Sequence, residues 1–229
     1  MDTTKIRNKL GIINDYLSKK YEGLERKLQE ACRRCESSAA AAILPKLLEI
    51  SSVRQVSEDA LADVGTESEV PVYMLSTIFV QDTFNTLTQG PEEDLRFATG
   101  LNVAPKTYAI TRLLQFKLSL KSVISAEGDP ASVNRVLIYL HNHDHKLYMT
   151  WHSHPGIGKG STTPSSIDRD FHRRLELGNY PVIGAVCGRQ GYVRFYSYKR
   201  PFKIVIHGKG MELIDEKQSL FKLNSIGTI

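Results

Sequence analysis

Residues 151–168, WHSHPGIGKGSTTPSSID, follow the apolar run LYMT at 147–150, so the segment begins at the end of a predicted strand. Alternate residues of a strand share a face of the sheet. His152 and His154 can therefore direct both imidazoles to one point, whereas Ser153 faces away. On its own such a pair is more often a polar strand edge than a metal site, so the residues that follow it decide between the two.

A helix is predicted to begin after the glycine-rich loop. Proline is favoured in the first turn of a helix and serine caps its free amides, and Pro164 and Ser165 supply both. Asp168 follows Ser165 by three residues and lies on the same helix face. Two imidazole nitrogens and one carboxylate oxygen make three zinc ligands and leave a fourth position for water. The sequence therefore predicts one Zn²⁺ per chain, held by His152, His154 and Asp168.

A zinc-bound water still needs a carboxylate nearby to take its proton and pass it to the leaving group. Glu93 is the candidate, because EDLRFATG at 93–100 begins at the end of a predicted helix and continues as a strand. Glu92 and Asp94 compete for this role, although a surface charge cluster is the simpler interpretation of both. Ser165 is the candidate donor to the oxyanion that forms as water attacks a carbonyl.

These segments resemble the JAMM, or MPN-plus, metallopeptidases, whose pattern is a Glu, then His-Ser/Thr-His-Pro, then Ser-x-x-Asp. The sequence has Glu93, HSHP at 152–155 and SSID at 165–168, in that order. GNYPVIGAV at 178–186 is similar to the strand that follows the Asp helix in this family. The resemblance covers roughly residues 70–215.

One departure from the family pattern is the loop GIGKGSTT at 156–163, which is longer than usual. The longer loop does not affect the assignment of the metal ligands. It leaves open the conformation of the loop and its contacts with substrate. A glycine-rich loop beside the metal is expected to admit a thin, extended glycine tail by adding it as an edge strand.

The resemblance implies hydrolysis of an isopeptide or peptide bond after the C-terminal glycine of ubiquitin or a ubiquitin-like protein, with Glu93 as general acid/base. It also implies conjugates of that protein as partners, together with activating and conjugating enzymes of a prokaryotic pathway. Two alternatives stay open: the same zinc chemistry on a sulfur-carrier or small peptide substrate, and a non-catalytic MPN-type scaffold. The intact ligand set argues against the scaffold.

Beyond Val70 the sequence alternates between apolar runs that suit strands and segments that suit helices. The predicted strands are VPVYML, LRFATGLNV, YAITRLLQF, LYMTWHSH, PVIGAVCG, YVRFYSY and FKIVIHG. The predicted helices between them are QDTFNTL, ASVNRVLIYLHNH and SSIDRDFHRRLEL. This order predicts an α+β (α/β-like) class, with a mixed sheet flanked by helices. The resemblance implies that this region has a JAB/MPN fold.

Three regions are expected along the chain: an N-terminal helical region at 1–65, the metallopeptidase domain at 70–215 and a C-terminal tail at 216–229. The first boundary is placed in the acidic stretch SEDALADVGTESE at 57–69, which is polar and contains a glycine. A second helical piece is expected at 39–50, with its start or a kink at Pro45.

One long helix is predicted over residues 4–36, because apolar side chains recur at steps of three and four residues. They are Leu10, Ile13, Leu17, Tyr21, Leu24, Leu28, Ala31 and Cys35. This seam must be covered by the 39–50 helix, the catalytic body or a second copy of the chain. Gly11 and Gly23 weaken a long free coiled coil, so a helical hairpin that docks substrate or partner is favoured over a homodimer.

Two further clusters resemble metal sites but have simpler interpretations. Cys32 and Cys35 have the spacing of a zinc knuckle, but both fall on the apolar stripe and lack a second pair, so buried core cysteines are expected. HNHDH at 141–145 sits where a helix ends, which predicts a solvated turn with histidines near the helix C-terminus.

The composition narrows the classes of partner. The chain has 30 basic and 25 acidic residues and a net charge of +5, which is too mild an excess to indicate nucleic-acid binding. Three cysteines do not form a disulfide framework. The opening residues MDTTKIRNK lack the apolar run of a signal peptide or membrane span. We therefore expect a cytoplasmic protein with neither nucleic acid nor membrane as partner.

Overall fold

The computed structural model describes residues 3–34, a few positions between 36 and 54, and residues 69–143 and 145–224. Within these residues the chain has an α+β fold in which helices flank a mixed sheet. The helices are α1 (Thr3–Arg33), α2 (Thr77–Leu87), α3 (Pro130–Asn142) and α4 (Ser166–Leu177). The strands are β1 (Val72–Ser76), β2 (Leu95–Ala104), β3 (Thr107–Leu114), β4 (Leu118–Lys121), β5 (Ala126–Gly128), β6 (Leu147–His154), β7 (Ile183–Gly188), β8 (Tyr192–Tyr196), β9 (Lys203–His207), β10 (Met211–Asp215) and β11 (Leu220–Leu223).

The order of strands in the main sheet is β10-β11-β8-β7-β6-β2-β3-β1-β9. β6 lies in the middle, where it pairs in parallel with β7 and antiparallel with β2. β4 and β5 form a separate two-stranded hairpin. The strand that carries the two histidines is therefore held on both sides by its neighbours.

The predicted mixed sheet flanked by helices is confirmed, and each of the seven apolar runs predicted as a strand is one. The three predicted helices of this region correspond to α2, α3 and α4. Four strands were not predicted: β4, β5, β10 and β11. β11 lies within the expected tail at 216–229 and pairs with β8, so the sheet extends past residue 215.

Helices α2, α3 and α4 start at residues that cap them. The side chain of Ser76 accepts a hydrogen bond from the amide of Phe79, and Asp129 accepts one from the amide of Ser132. Ser165 caps α4, as the sequence predicts. Each cap satisfies an amide that the helix leaves without a partner, a contribution of about 1 kcal/mol.

The main apolar core centres on Trp151 of β6, which is fully buried. Phe195 of β8 meets its ring edge to face at a centroid distance of 5.5 Å, and Phe79 of α2 does so at 6.1 Å. Burial of side chains this large contributes about 2 to 3 kcal/mol each. The same packing fixes β6 and so fixes the direction in which its last residues point.

Gly100 of β2 lies where the backbone of β3 comes too close for a side chain. A Cβ at this position would sit 1.8 Å from the carbonyl oxygen of Ala109, next to a register shift between the two strands. Gly100→Ala should therefore lower the free energy of unfolding by about 2 kcal/mol or more, since backbone has to move.

Gly160→Ala is the matched control for that prediction, because a Cβ at Gly160 meets nothing within 4 Å. Urea unfolding followed by Trp151 fluorescence measures both variants. Equal midpoints for the two variants would contradict the close approach of β2 and β3.

Helix α1 confirms the predicted long helix, although it ends at Arg33 rather than at residue 36. On its stripe Leu17 and Ala31 are buried, and α1 contacts β2. The prediction that Cys32 is buried is wrong: it is exposed, because it lies one residue past Ala31 and so points away from the stripe.

Several sequence predictions lie wholly or partly outside the described residues. Cys35 and Pro45 are among them, as are most of the 39–50 helix and the linker up to residue 68. No helix in the described part of the chain combines the length and apolar character needed to cross a bilayer.

Candidate metal centre

The candidate metal centre lies where β6 ends and α4 begins. His152 is opposite Leu95 of β2, and His154 is opposite Gly188 of β7. Both histidines thus leave the same face of the central strand, as the alternation of strand side chains predicts. Asp168 is the third residue of α4 and turns back toward the strand end.

The three predicted ligands present their donor atoms to one small volume. His152 Nε2 lies 3.2 Å from His154 Nε2 and 3.4 Å from Asp168 Oδ2, and His154 Nε2 lies 3.8 Å from that same oxygen. Ligands of a tetrahedral zinc at about 2.0 to 2.1 Å are spaced about 3.3 Å apart, so the donor set fits this ion. Within the described residues this is the group of histidine and carboxylate side chains that can hold a metal.

The ring of His154 is oriented by a backbone carbonyl on the side away from the other donor atoms. Its Nδ1 lies 2.7 Å from the carbonyl oxygen of Ser161, so Nδ1–H donates there and the lone pair of Nε2 faces the site. A backbone carbonyl that fixes the tautomer of a ligand histidine in this way also raises its basicity. The enlarged loop therefore helps to build the site.

Part of the enlarged loop forms a turn rather than an extended segment. Lys159–Thr162 forms a 3-10 turn, and Thr162 is fully buried. The side chain of Arg194 on β8 donates to the Thr162 hydroxyl at 3.1 Å, and a Cβ on Gly188 would clash with Ser161 and Thr162. The turn is thus packed onto β7 and β8. Binding of a glycine tail along the loop stays a prediction.

Asp168 is held as a carboxylate. Burial alone would raise its pKa, but hydrogen bonding and charge from His152, with hydrogen bonds from Ser165, outweigh burial and hold the pKa well below the ordinary value. The amide and hydroxyl of Ser165 both donate to Asp168 Oδ2 at 2.7 Å. An ionised, oriented oxygen is what a zinc ligand requires.

The same contact bears on the predicted role of Ser165. Its hydroxyl donates to Asp168 and accepts from the Asp168 amide, so it is engaged within the capping box. To serve as an oxyanion donor, the hydroxyl has to turn its proton from Asp168 toward the substrate. That role stays a prediction.

Glu93 lies in the segment between α2 and β2, and its Oε1 is 3.9 Å from His154 Nε2. Its side chain is 14% exposed. Burial raises its pKa above the ordinary value, the charge of His152 opposes the shift and that of Asp168 adds to it. Glu93 is thus a half-buried carboxylate beside the donor atoms, a position from which it could exchange a proton with a molecule bound there.

Neighbouring carboxylates do not share this position. Asp94 is buried and paired with Arg96 and Lys121, and Asp170 is exposed and paired with Arg173. These two acids are engaged in ion pairs away from the donor atoms. The geometry therefore favours Glu93 over Asp94, and Asp168 over Asp170.

The histidines at 141–145 form no metal group within the described residues. His141 and His143 are exposed at the end of α3, and the ring of His143 packs on Tyr139 with Nδ1 at 2.8 Å from the Tyr139 carbonyl oxygen. This agrees with a solvated turn.

His172 is a buried residue near the site whose partners the sequence does not show. Its Nε2 lies 2.8 Å from the hydroxyl of Thr150, and its ring packs 4.7 Å from Tyr196, which in turn lies 6.4 Å from His152. Burial, together with the charge of His152, lowers the pKa of His172 to about 4, so the ring is neutral at physiological pH. In the sequence, the one indication that His172 lies near the site is its position four residues after Asp168, which puts both on the same face of α4.

No protein-family model matches the chain, and no curated protein matches it either. Among solved structures it is similar to a protein from Desulfitobacterium hafniense, at 13% identity and a TM-score of 0.41, over 60% of this chain and 94% of that one. It is also similar to a JAB1/MPN domain protein from Archaeoglobus fulgidus, at 12% identity and a TM-score of 0.36, over 60% of this chain and all of that one. At this level of similarity neither structure assigns a function to the chain.

Proposed function

We propose that this protein is a zinc-dependent metallopeptidase of the JAMM type. The observation that supports the proposal is the convergence of two Nε2 atoms and a carboxylate oxygen with tetrahedral spacing, beside a carboxylate that is not a ligand. His152, His154 and Asp168 would hold the ion, and Glu93 would act as general acid/base. Three ligands and an open fourth position distinguish a catalytic from a structural zinc site.

The chemistry divides between the ion and the protein. Zinc supplies Lewis acidity, which activates a water molecule and polarises the scissile carbonyl. Glu93 accepts a proton from the attacking water and delivers it to the leaving amine. Ser165, once its hydroxyl turns from Asp168, donates to the oxyanion. Glu93 and the three ligands act from positions that are fixed before substrate arrives, which lowers the reorganisation in the barrier.

The proposed substrate is an isopeptide or peptide bond after the C-terminal glycine of ubiquitin or a ubiquitin-like protein. Support comes from the sequence pattern of Glu93, HSHP and SSID together with the donor geometry. A scaffold without catalysis would not need a non-ligand carboxylate with a raised pKa beside the donor atoms. A sulfur-carrier protein or a small peptide offers the same bond to the same chemistry.

Fluorogenic amides at the C-terminal glycine of ubiquitin, a prokaryotic ubiquitin-like protein and a sulfur-carrier protein test the proposal and rank the substrates. The full chain, loaded with zinc, should release the fluorophore from at least one of them, and the rate should vanish with a chelator and return with added zinc. Absence of turnover on all three, and on an isopeptide-linked conjugate, would reject the peptidase and favour the scaffold.

A further inference from the structure

The ion cluster around Asp94 lies directly beside Glu93 and is not used in the chemistry above. The Asp94 side chain is 7% exposed and carries two basic partners. Arg96 binds both of its oxygens, and Lys121 Nζ lies 3.1 Å from Oδ2. The amide of Leu95 donates to Oδ1 at 2.7 Å. A buried carboxylate with this many donors holds the chain around it in one conformation.

The backbone on either side of Glu93 is bound to two other parts of the site. The Glu93 amide donates to the carbonyl of Ser122 at 2.7 Å, at the end of β4. Asp94 exchanges two contacts of 3.0 Å with Ser153: its amide donates to the hydroxyl, and its carbonyl accepts from the Ser153 amide. Ser153 stands between the two ligand histidines. The backbone that carries Glu93 is thus tied both to the ligand strand and to the β4–β5 hairpin.

Lys121 is the side chain that joins the hairpin to this cluster. It ends β4, one residue before the Ser122 carbonyl that receives the Glu93 amide. Its ion pair with Asp94 therefore holds the hairpin against the Glu93 backbone at two adjacent points.

We infer that Lys121 and Asp94 are positioning residues that set the orientation of Glu93 relative to the donor atoms. This inference rests on the proposed function for its consequence in turnover, but the coupling between the hairpin and the Glu93 segment is a property of the protein without substrate. Loss of the Lys121 charge frees the end of β4, and the Glu93 amide loses a fixed acceptor. A general acid/base displaced by a fraction of an ångström transfers protons less often in a productive geometry.

Lys121→Met tests the inference, because it removes the charge, keeps much of the side-chain length and leaves Asp94 paired with Arg96. We expect kcat to fall about three- to tenfold with KM changed less than about twofold. Zinc content should stay unchanged. Lys121→Arg restores an ion pair and should recover most of kcat. Lys117→Met is the matched control: the same change at an exposed lysine just before β4, and kcat should not move.

Hydrogen–deuterium exchange provides the readout that does not need turnover. In Lys121→Met, peptides covering residues 88–96 should exchange several-fold faster, while those covering β7 and β8 keep their rates. Unchanged exchange at 88–96, or a change in KM alone, would overturn the positioning role. If exchange increases but the wild-type protein cleaves nothing, the coupling stands and the proposed function fails. Asp94→Asn is a second variant with the same expected pattern.

Discussion

Glu93→Gln should lower kcat by about a hundredfold or more and leave one zinc bound, because the residue transfers protons and is not a ligand. Glutamine has the shape of glutamate but cannot accept the proton of the attacking water. Glu93 Oε1 lies within 4 Å of His154 Nε2, so the change acts beside the donor atoms while the three ligands stay in place. The assay is release of the fluorogenic amide, with zinc measured in the same preparation.

The matched control is Glu92→Gln, the same chemical change one residue earlier. It should leave kcat within about twofold, since Glu93, and not Glu92, forms the contact with His154 among the described residues. If Glu92→Gln abolishes turnover and Glu93→Gln does not, the assignment of the acid/base is wrong by one residue. If Glu93→Gln also loses zinc, the residue acts as a ligand instead.

The elements that the sequence predicts are those whose side chains repeat one environment. β6 and β7 are buried over most of their length, so each contains a short run of mostly apolar residues that predicts a strand. β4 and β10 are short and mostly exposed, which removes the apolar pattern. β11 is buried at Leu220 and Phe221 but has only four residues. It is held as a strand by antiparallel pairing with its neighbour β10 and with β8, which is more distant in sequence.

The candidate site divides along the same line. His152 and His154 lie on one strand and Ser165 and Asp168 on one helix start, so the local periodicity of each element predicts which side chains share a face. Glu93 has no such periodic link to them. It was nominated by its place between a predicted helix and a predicted strand and by the resemblance to a family pattern. The structure brings it there through the pairing of β2 with β6.

The supporting residues could not be predicted, because their partners are remote in sequence. Lys121 pairs with Asp94 across 27 residues, and His172 meets Thr150 across 22. Neither residue belongs to a motif, and each has an ordinary surface or core interpretation in the sequence alone. The loop at 156–163 is a related case. Its glycines suggested an open segment, whereas in the structure Thr162 is buried and the turn that contains it contacts β7 and β8.

The purified wild-type protein should retain about one equivalent of zinc after mild dialysis, since three well-spaced donors bind the ion tightly. His154→Ala and Asp168→Ala each remove one donor and should reduce the retained zinc to a small fraction of an equivalent. The thermal stabilisation that added zinc gives the wild-type apoprotein should disappear in both variants, because a ligand stabilises a protein only when its concentration exceeds Kd, and loss of a donor raises Kd.

Two controls separate loss of a ligand from loss of a charge or an imidazole. Asp170→Ala removes an exposed carboxylate two residues along α4, and His143→Ala removes an exposed imidazole at the end of α3. Both should keep about one equivalent of zinc and its thermal stabilisation, because neither side chain reaches the donor atoms. Unchanged zinc in His154→Ala would remove that residue from the ligand set. Loss of zinc in Asp170→Ala would mean that α4 presents a different carboxylate to the metal, and the role of Asp168 as ligand would then fall.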